Sequence, residues 1–452
     1  MFNLLAKRLS SDLLICIGLI LFCLSLRVGV VALRFQELNE DADSYIGIAN
    51  NLAAGRGFSI PDSTKPTAFR PPLYPILIAP ISSPDLAWAR AVLNLLAAAG
   101  SMIFIWMAAE NLGFSRIQKG LALLVYGCDP LLLRYSSLSM TETVCSMIAA
   151  ALLWRLVRDH QQESWQSHLL TGIVFGFCVL TRPTFWAFGI LYGGVTLLSW
   201  LYPRLRLAFP TPRQLIIVLG GTFLIAGPWF IRNFIEMKSP ILMTTHGGYT
   251  ILLGNNEAFY AEVVEQPFGT VWDGSKGPGQ AVWANGINQQ MDALGLTTEI
   301  ERDRWQGDLA KQTIRENPVL FLKSCWLRFV RFWNIFPSGP AVQNVPATLY
   351  YLVGVWYSLL GVSFLVGLCR VCRVRCADRN WLNWSAQQTL LDWTPILLLI
   401  LSFTLVHLVY WSNVRMRAPI VPAIALVVGA VFKGTRIEES VCVEKTKSLH
   451  TT

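Results

Sequence analysis

Three acidic residues stand close together directly after the first long apolar run of the chain, in the sequence Glu40-Asp41-Ala42-Asp43-Ser44-Tyr45. A carboxylate near hydrocarbon can have a raised proton affinity, and one within reach of an incoming hydroxyl or amine can act as a general base. The alternative is that Asp41 or Asp43 caps the helix that begins near Tyr45. Taken alone, these residues favour capping, with general-base chemistry as the second interpretation.

A basic residue follows in the same segment, where Arg70 directly precedes Pro71 and Pro72. A guanidinium offers phosphate a planar, two-pronged set of donors, although an arginine at this depth can also simply snorkel to the interface. Other charged residues near predicted helix ends are Glu142, Arg182, Arg232, Arg415 and Arg417. A charge at the bilayer centre costs about 2.5 to 3.5 kcal/mol on insertion scales, so even partial burial requires a partner. That partner is either another side chain or a phosphate head group.

The elements that carry these residues are membrane helices. The chain has 452 residues, of which 53% are hydrophobic and 14% charged, whereas soluble proteins average roughly 25% charged residues. Continuous apolar runs such as 13–31 do not alternate, which excludes a membrane barrel. The net charge of +9 is spread over many short segments and indicates topology, so we expect no nucleic-acid partner. The predicted fold class is an all-α polytopic membrane protein.

We predict about ten transmembrane helices. They lie near residues 13–33, 86–108, 119–134, 140–157, 168–181, 184–201, 214–231, 348–369, 393–411 and 418–432. With a cytoplasmic amino terminus, every inside segment is basic, as the positive-inside rule requires. The chain then divides into a first membrane module with an outer loop, an outer segment, a second membrane module and a cytoplasmic tail. Their bounds are 1–231 with the loop at 34–85, then 232–347, 348–432 and 433–452.

The long outer segments contain helical patterns of their own. Residues 45–53 have apolar positions at helical spacing before Gly55 and Gly57, which predicts an interface helix. Prolines interrupt the apolar stretch 73–81 and predict a short, kinked element. In the second segment we predict a helix over 298–316 and an interface helix over 319–336, with a transmembrane helix as the alternative for the latter.

The order of these features resembles the first outer loop of GT-C glycosyltransferases that use polyprenyl-phosphate sugars. That group includes protein O-mannosyltransferases and lipid A aminoarabinose transferases. Its Asp four residues before an aromatic matches Asp41 and Tyr45, and its basic residue before Pro-Pro matches Arg70. The glutamate that often follows that Asp is replaced by Ala42, with a second acid displaced to Asp43. Further matches are Met140-Thr141-Glu142, Leu180-Thr181-Arg182-Pro183, Gly227 to Asn233, Leu253 to Asn256 and Arg415 to Pro419.

The resemblance implies a membrane hexosyl- or pentosyltransferase that moves a sugar from a polyprenyl-phosphate donor to an acceptor on the outer face. Asp41 or Asp43 is then the catalytic base of an inverting single displacement. Arg70, Arg232 and Arg417 contact the donor phosphate, and Tyr45, Glu142, Arg182 and Arg415 are possible supports. The acceptor is a protein, a glycan or a lipid. A bacterial inner membrane is the expected location.

No cofactor or metal is predicted to be required, because guanidiniums alone can handle a monophosphate donor. Cys369, Cys372 and Cys376 have zinc-like spacing, but no second pair follows, and their basic surroundings indicate a juxtamembrane anchor. A rival function is a transporter or flippase for an amphipathic anion or a lipid-linked sugar. Against it stand the lack of an internal repeat and the length of the second outer segment. A scaffold that has lost activity is the third possibility.

Overall fold

The computed structural model of the protein describes residues 2–159, 164–201, 209–336, 345–377 and 384–432. The predicted tail 433–452 lies outside these ranges. Within them the regular structure is helical, apart from one isolated bridge between Ser59 and Pro66. The predicted fold class is therefore confirmed.

The α-helices are numbered in chain order. They are α1 (Phe2–Leu33), α2 (Tyr45–Ala53), α3 (Leu73–Ile78), α4 (Ala87–Asn111), α5 (Arg116–Gly127), α6 (Pro130–Tyr135), α7 (Glu142–Asp159), α8 (Trp165–Thr181), α9 (Phe185–Leu201), α10 (Pro212–Met237), α11 (Gly247–Gly254), α12 (Glu257–Phe259), α13 (Gly279–Ala293), α14 (Glu299–Glu316), α15 (Pro318–Phe332), α16 (Ala347–Ala377), α17 (Trp384–Val409) and α18 (Val421–Gly429). Short 3-10 helices join some of them.

Half of the predicted spans coincide with helices that are long and apolar enough to cross a membrane. Among the described residues there are five such helices, namely α1, α4, α10, α16 and α17. The apolar helices α8 and α9 are shorter, with 17 residues each. Helix α7 has 18 residues and overlaps the predicted span 140–157, but it begins at Glu142.

Two predicted spans are wrong as continuous helices. The span 119–134 breaks after α5, where Asp129 accepts the Leu132 amide at 3.1 Å and thereby starts the separate helix α6. The span 418–432 is a 3-10 helix, Val414–Ile420, followed by the nine-residue α18. Prolines stand at both breaks, and a proline supplies no amide hydrogen to a continuing helix.

Helices α8 and α10 pack through glycines. A Cβ atom on Gly172 would collide with the Val218 carbonyl of α10, and one on Gly221 would collide with the Leu169 carbonyl of α8. Small residues let membrane helices approach closely, since apolar burial between them gains little in lipid. This contact fixes the end of α8, and therefore the position of Arg182, against α10.

Residues 34–86 form a first loop segment and residues 238–336 belong to a second. The helix predicted for residues 45–53 is confirmed as α2, and the kinked element as α3 followed by a 3-10 turn, Ala79–Ile81; the interface position of α2 stays a prediction. The predicted helix 298–316 is α14, which Thr298 starts with a capping box. Helix α15, with 15 residues, is shorter than the roughly 20 that a span needs.

The two loop segments pack directly against each other. Thr67 donates its hydroxyl to Glu299 at 2.9 Å, and the Thr245 amide donates to the Ala68 carbonyl at 3.0 Å. The Lys65 ammonium lies 3.3 Å from the Thr297 carbonyl. Both segments therefore lie on the same side of the helical bundle.

Candidate active site

Five charged side chains from distant parts of the sequence form one ion-pair network, here called the charge cluster. Its members are Asp43, Arg70, Glu142, Arg182 and Arg415. Arg70 Nη2 lies 3.0 Å from Asp43 Oδ1, and Arg415 bridges Asp43 Oδ2 to Glu142 Oε1. Arg182 Nη2 completes the network at 2.6 Å from the same Glu142 oxygen.

Each member of the charge cluster is placed by the end of a helix or by a turn. Glu142 is the first residue of α7, Arg182 directly follows α8, and Arg415 belongs to the 3-10 helix before α18. Asp43 lies in the turn before α2, where Ser44 adopts a left-handed φ of 62°. Arg70 directly precedes the prolines before α3 and donates its Nε to the Asp43 carbonyl at 2.8 Å. Breaks in regular structure thus bring the charges together.

The charge cluster contains three guanidiniums and two carboxylates, which leaves one net positive charge. Glu142 is fully buried and its Oε2 has no hydrogen-bond partner among the described residues. Burial alone raises the pKa of Asp43, but Arg415 and Arg70 outweigh it and hold that pKa below its ordinary value. The arrangement can therefore receive one further anionic group.

Asp41 makes different contacts, although it lies only two residues from Asp43. Its Oδ1 accepts the Ile46 amide at 2.9 Å and its Oδ2 accepts the Gly47 amide at 2.8 Å. This is the helix cap that the sequence offered as the alternative to a catalytic role. The side chain is exposed, and an ionised carboxylate has about four acceptor sites, so Asp41 keeps sites that can accept a hydrogen bond from a ligand.

Two of the predicted phosphate ligands lie apart from the charge cluster. Arg232 donates to the carbonyls of Phe58 and Thr67 at 2.6 and 2.7 Å, so it ties the first loop segment to α10. Arg417 is 3% exposed, and its guanidinium carbon lies 4.3 Å from the centre of the Tyr357 ring. Its Nε and Nη2 have no hydrogen-bond partner among the described residues. Of the three predicted phosphate ligands, only Arg70 joins the cluster.

Aromatic rings surround Arg70. Its guanidinium carbon lies 5.6 Å from the centre of the Tyr45 ring and 5.0 Å from that of Phe69. His246 packs edge-on against Phe69 at 4.3 Å and next to Tyr249 at 5.2 Å. Burial, together with the charge of Arg70, lowers the pKa of His246 to about 3, so this imidazole is neutral near pH 7. The rings shield Arg70 from water and strengthen its charge interactions.

Two buried arginines that were not predicted from the sequence support the site. Arg90 on α4 donates to the carbonyls of Ile81 and Ser83 and to Ser139, which fixes the first loop segment. Arg27 on α1 donates to the Leu132 carbonyl at 2.9 Å and so holds the break between α5 and α6. A lone arginine inside an apolar span was the signal available for both.

Two cavities lie on either side of the first loop segment. The span-side cavity, about 580 Å³, has apolar walls that include Leu180, Ile225 and Trp229, with Arg56 and Arg232 among its polar lining residues. The loop-side cavity, about 440 Å³, is bounded by the first loop segment, including Arg70, and by the beginning of α14. Both volumes are typical of small-ligand sites. Within the described ranges, no group of three or more His, Cys, Asp or Glu side chains is placed to hold a metal ion, and metal independence stays a prediction.

Residues 70–226 match the sequence model of the dolichyl-phosphate-mannose-protein mannosyltransferase family. The chain is also similar in structure to ArnT from Cupriavidus metallidurans bound to undecaprenyl phosphate, with 13% identity, a TM-score of 0.39 and coverage of 92% of this chain and 77% of that one. The apo state of the same protein gives 14% identity and a TM-score of 0.36 over the same shares. None of the curated proteins compared with the chain matches it. The family match confirms, over residues 70–226, the resemblance stated from the sequence.

Proposed function

We propose that the protein, whose residues 70–226 match the dolichyl-phosphate-mannose-protein mannosyltransferase family, is a membrane glycosyltransferase of the GT-C type with a polyprenyl-phosphate sugar as donor. The observation that carries this proposal is the charge cluster, whose one net positive charge fits a single phosphate group. Arg70 is the proposed phosphate ligand, because Asp43 and the aromatic rings orient its guanidinium. We place the reaction on the outer face of a bacterial inner membrane.

The span-side cavity is the proposed place of the donor's lipid. Its apolar walls come from α3, α8 and α10, of which α10 is a candidate span and α8 is a shorter apolar helix. A polyprenyl chain can therefore pass from lipid to the cavity without crossing water. Arg56 is exposed at this cavity, and its Nε donates to Asn51 at 2.8 Å, so its remaining donors are free to attract an anionic lipid.

Asp41 is the proposed base, and Asp43 the anchor of the charge cluster. The ion pairs of Asp43 stabilise its ionised form, which makes it a weak proton acceptor. In the proposed reaction Asp41 accepts the proton of an acceptor hydroxyl or amine, whose oxygen or nitrogen forms a bond to the anomeric carbon. The bond from that carbon to the phosphate oxygen breaks, and its electron pair leaves with the polyprenyl phosphate. A single displacement inverts the anomeric centre.

The charge cluster stabilises the departing phosphate as its negative charge grows. Arg70 would contact it, while Arg415 and Arg182 supply positive potential through the Asp43 and Glu142 bridges. No step of this scheme uses a metal ion. Activity after extensive treatment with a chelator is the expected result, and its loss and recovery with added divalent metal would show that this part of the scheme is wrong.

The decisive experiment follows radiolabelled sugar from a polyprenyl-phosphate donor, with the purified chain in vesicles and a crude membrane extract as the source of acceptor. Transfer to a non-donor product supports the enzyme. Movement of label into the vesicle lumen without transfer supports a transporter and refutes the proposal. Arg70→Gln should abolish transfer, whereas Arg34→Gln, which changes an exposed arginine outside the cluster, should preserve it.

A further inference from the structure

The stretch 64–67 of the first loop segment separates the two cavities. Thr64 and Pro66 line the span-side cavity, whereas Lys65 and Thr67 line the loop-side cavity. Side chains of an extended chain point alternately to opposite sides, and the bridge between Ser59 and Pro66 shows that the backbone is extended here. The stretch 64–67 is therefore a thin wall with one side toward the apolar span-side cavity and the other toward the loop-side cavity.

The loop-side cavity is built without the membrane helices. Its lining residues come from the first loop segment and from residues 297–302 at the start of α14, and none belongs to the candidate spans. Helix α14 is polar, with Lys311 and Asp308 exposed on it. A ligand of this cavity therefore arrives from water, in contrast to a ligand of the span-side cavity.

The loop-side cavity offers hydrogen-bond donors to a ligand. The Lys65 ammonium makes one hydrogen bond, to the Thr297 carbonyl, and has no carboxylate partner among the described residues. Arg302 donates through Nε and Nη2, which leaves its Nη1 without a protein partner in the described ranges, and Arg70, the proposed ligand of the donor phosphate, lines the same cavity. The carboxylate of Glu299, by contrast, already accepts three hydrogen bonds. Such a donor-rich cavity suits phosphate or carboxylate oxygens.

Other lining groups suit a sugar. The hydroxyls of Ser44, Thr67 and Thr297 and the ring of Phe69 border the cavity. An aromatic face beside hydroxyls is the usual surface for a carbohydrate ring. The volume of about 440 Å³ holds one or two sugar residues.

The proposed base lies behind one wall of the cavity. Pro61 lines it and packs against Gly47, where a Cβ atom would lie 2.7 Å from Pro61 and 3.3 Å from Asp41 Oδ2. We propose that the loop-side cavity binds the acceptor, and that the acceptor is an anionic sugar of a water-soluble glycan. The acceptor role of the cavity rests on the proposed glycosyl transfer. Binding of a soluble sugar anion in the cavity does not depend on that transfer.

The binding test uses pyridoxal 5′-phosphate, which forms imines with lysines near anion sites, on the full chain in detergent. After borohydride reduction, peptide mapping compares Lys65 with the exposed Lys276. Lys65 should be modified at about one tenth of the concentration needed for Lys276, since one charge-assisted hydrogen bond suffices for a tenfold difference. Glucose 6-phosphate and glucuronate should protect Lys65 and leave Lys276 unprotected.

Two results of this test overturn the inference. One is equal modification of the two lysines with no protection by either sugar anion. The other is protection of Lys65 by phosphatidylglycerol vesicles alone, because it would assign the cavity to a lipid head group.

In the transfer assay, Lys65→Gln should raise KM for an anionic glycan acceptor roughly ten- to a hundredfold with kcat and the donor KM unchanged. Lys276→Gln is the matched control. An unchanged acceptor KM refutes the acceptor role of the cavity. If the protein transfers no sugar at all, the proposed function fails, while selective protection of Lys65 would still support a site for a soluble sugar anion.

Discussion

Separate replacement of Asp41 and of Asp43 by asparagine distinguishes the proposed base, Asp41, from the proposed anchor of the charge cluster, Asp43. In Asp41→Asn the amide keeps one acceptor oxygen for the start of α2, so the loss of stability is limited to about 0.5 to 2 kcal/mol. Loss of a general base costs about 10² to 10⁴ in kcat. Asp43→Asn loses one charge-assisted hydrogen bond, about 1.5 to 3 kcal/mol, which corresponds to a roughly 10- to 160-fold fall in kcat/KM.

The assay is the pH dependence of sugar transfer from a polyprenyl-phosphate donor, with thermal unfolding as the check on folding. We expect the fall of kcat toward acid pH, the acid limb, to disappear in Asp41→Asn. The acid limb should persist in Asp43→Asn, because this variant retains the proposed base, Asp41. Asp62→Asn is the control, since Asp62 is an exposed acid of the same segment whose positive φ of 58° asparagine tolerates. If Asp41→Asn retained activity within tenfold while Asp43→Asn lost the acid limb, the assignment of the two residues would be reversed.

Three further predictions concern the residues that hold the site together. The ion pairs of Asp43 lower its pKa, so they stabilise the fold above a pH of about 4, and this stabilisation is lost as the pH falls through the lowered pKa. In Arg415→Gln the loss of stability should begin at a higher pH than in the unchanged protein. Melting temperatures between pH 3 and 7 test this, and identical pH profiles of the two proteins would contradict it. Arg417→Met should reduce the free energy of unfolding by about 0.5 to 2 kcal/mol, because it removes the cation–π contact between the Arg417 guanidinium and the Tyr357 ring; an unchanged melting temperature combined with a raised donor KM would instead indicate phosphate contact. Gly172→Ala should cost about 1 to 3 kcal/mol in a denaturation assay, because its Cβ would strike the backbone of α10, and a neutral result would show that α8 and α10 are less closely packed than described.

The match over residues 70–226 bears on three of the five members of the charge cluster. Arg70, Glu142 and Arg182 lie within the matched region, whereas Asp43 precedes it and Arg415 follows it. The proposed chemistry therefore depends on the tertiary contacts that join both ends of the chain to the matched region. Arg415 makes that connection directly, since it binds Asp43 and Glu142 at once.

The sequence by itself determined the properties that depend on neighbours along the chain. Apolar runs long enough for the bilayer predicted the five longest spans, because the cost of burying polar groups in lipid acts on each segment separately. Helical spacing likewise predicted α2, and the local pattern predicted α14. The pattern around Arg70 also drew attention to a residue that belongs to the charge cluster, and its role as a phosphate ligand stays a prediction.

Only the tertiary structure decided which charged groups meet. Asp43 and Arg415 are 372 positions apart, and their contact depends on how α7, α8 and the 3-10 helix before α18 pack together. The same packing directs Arg232 to backbone carbonyls and Arg417 to the Tyr357 ring, although their sequence surroundings resemble those of Arg182 and Arg415. A charge near the end of a membrane helix must find some partner, but the partner is chosen by three-dimensional distance, which no local pattern encodes.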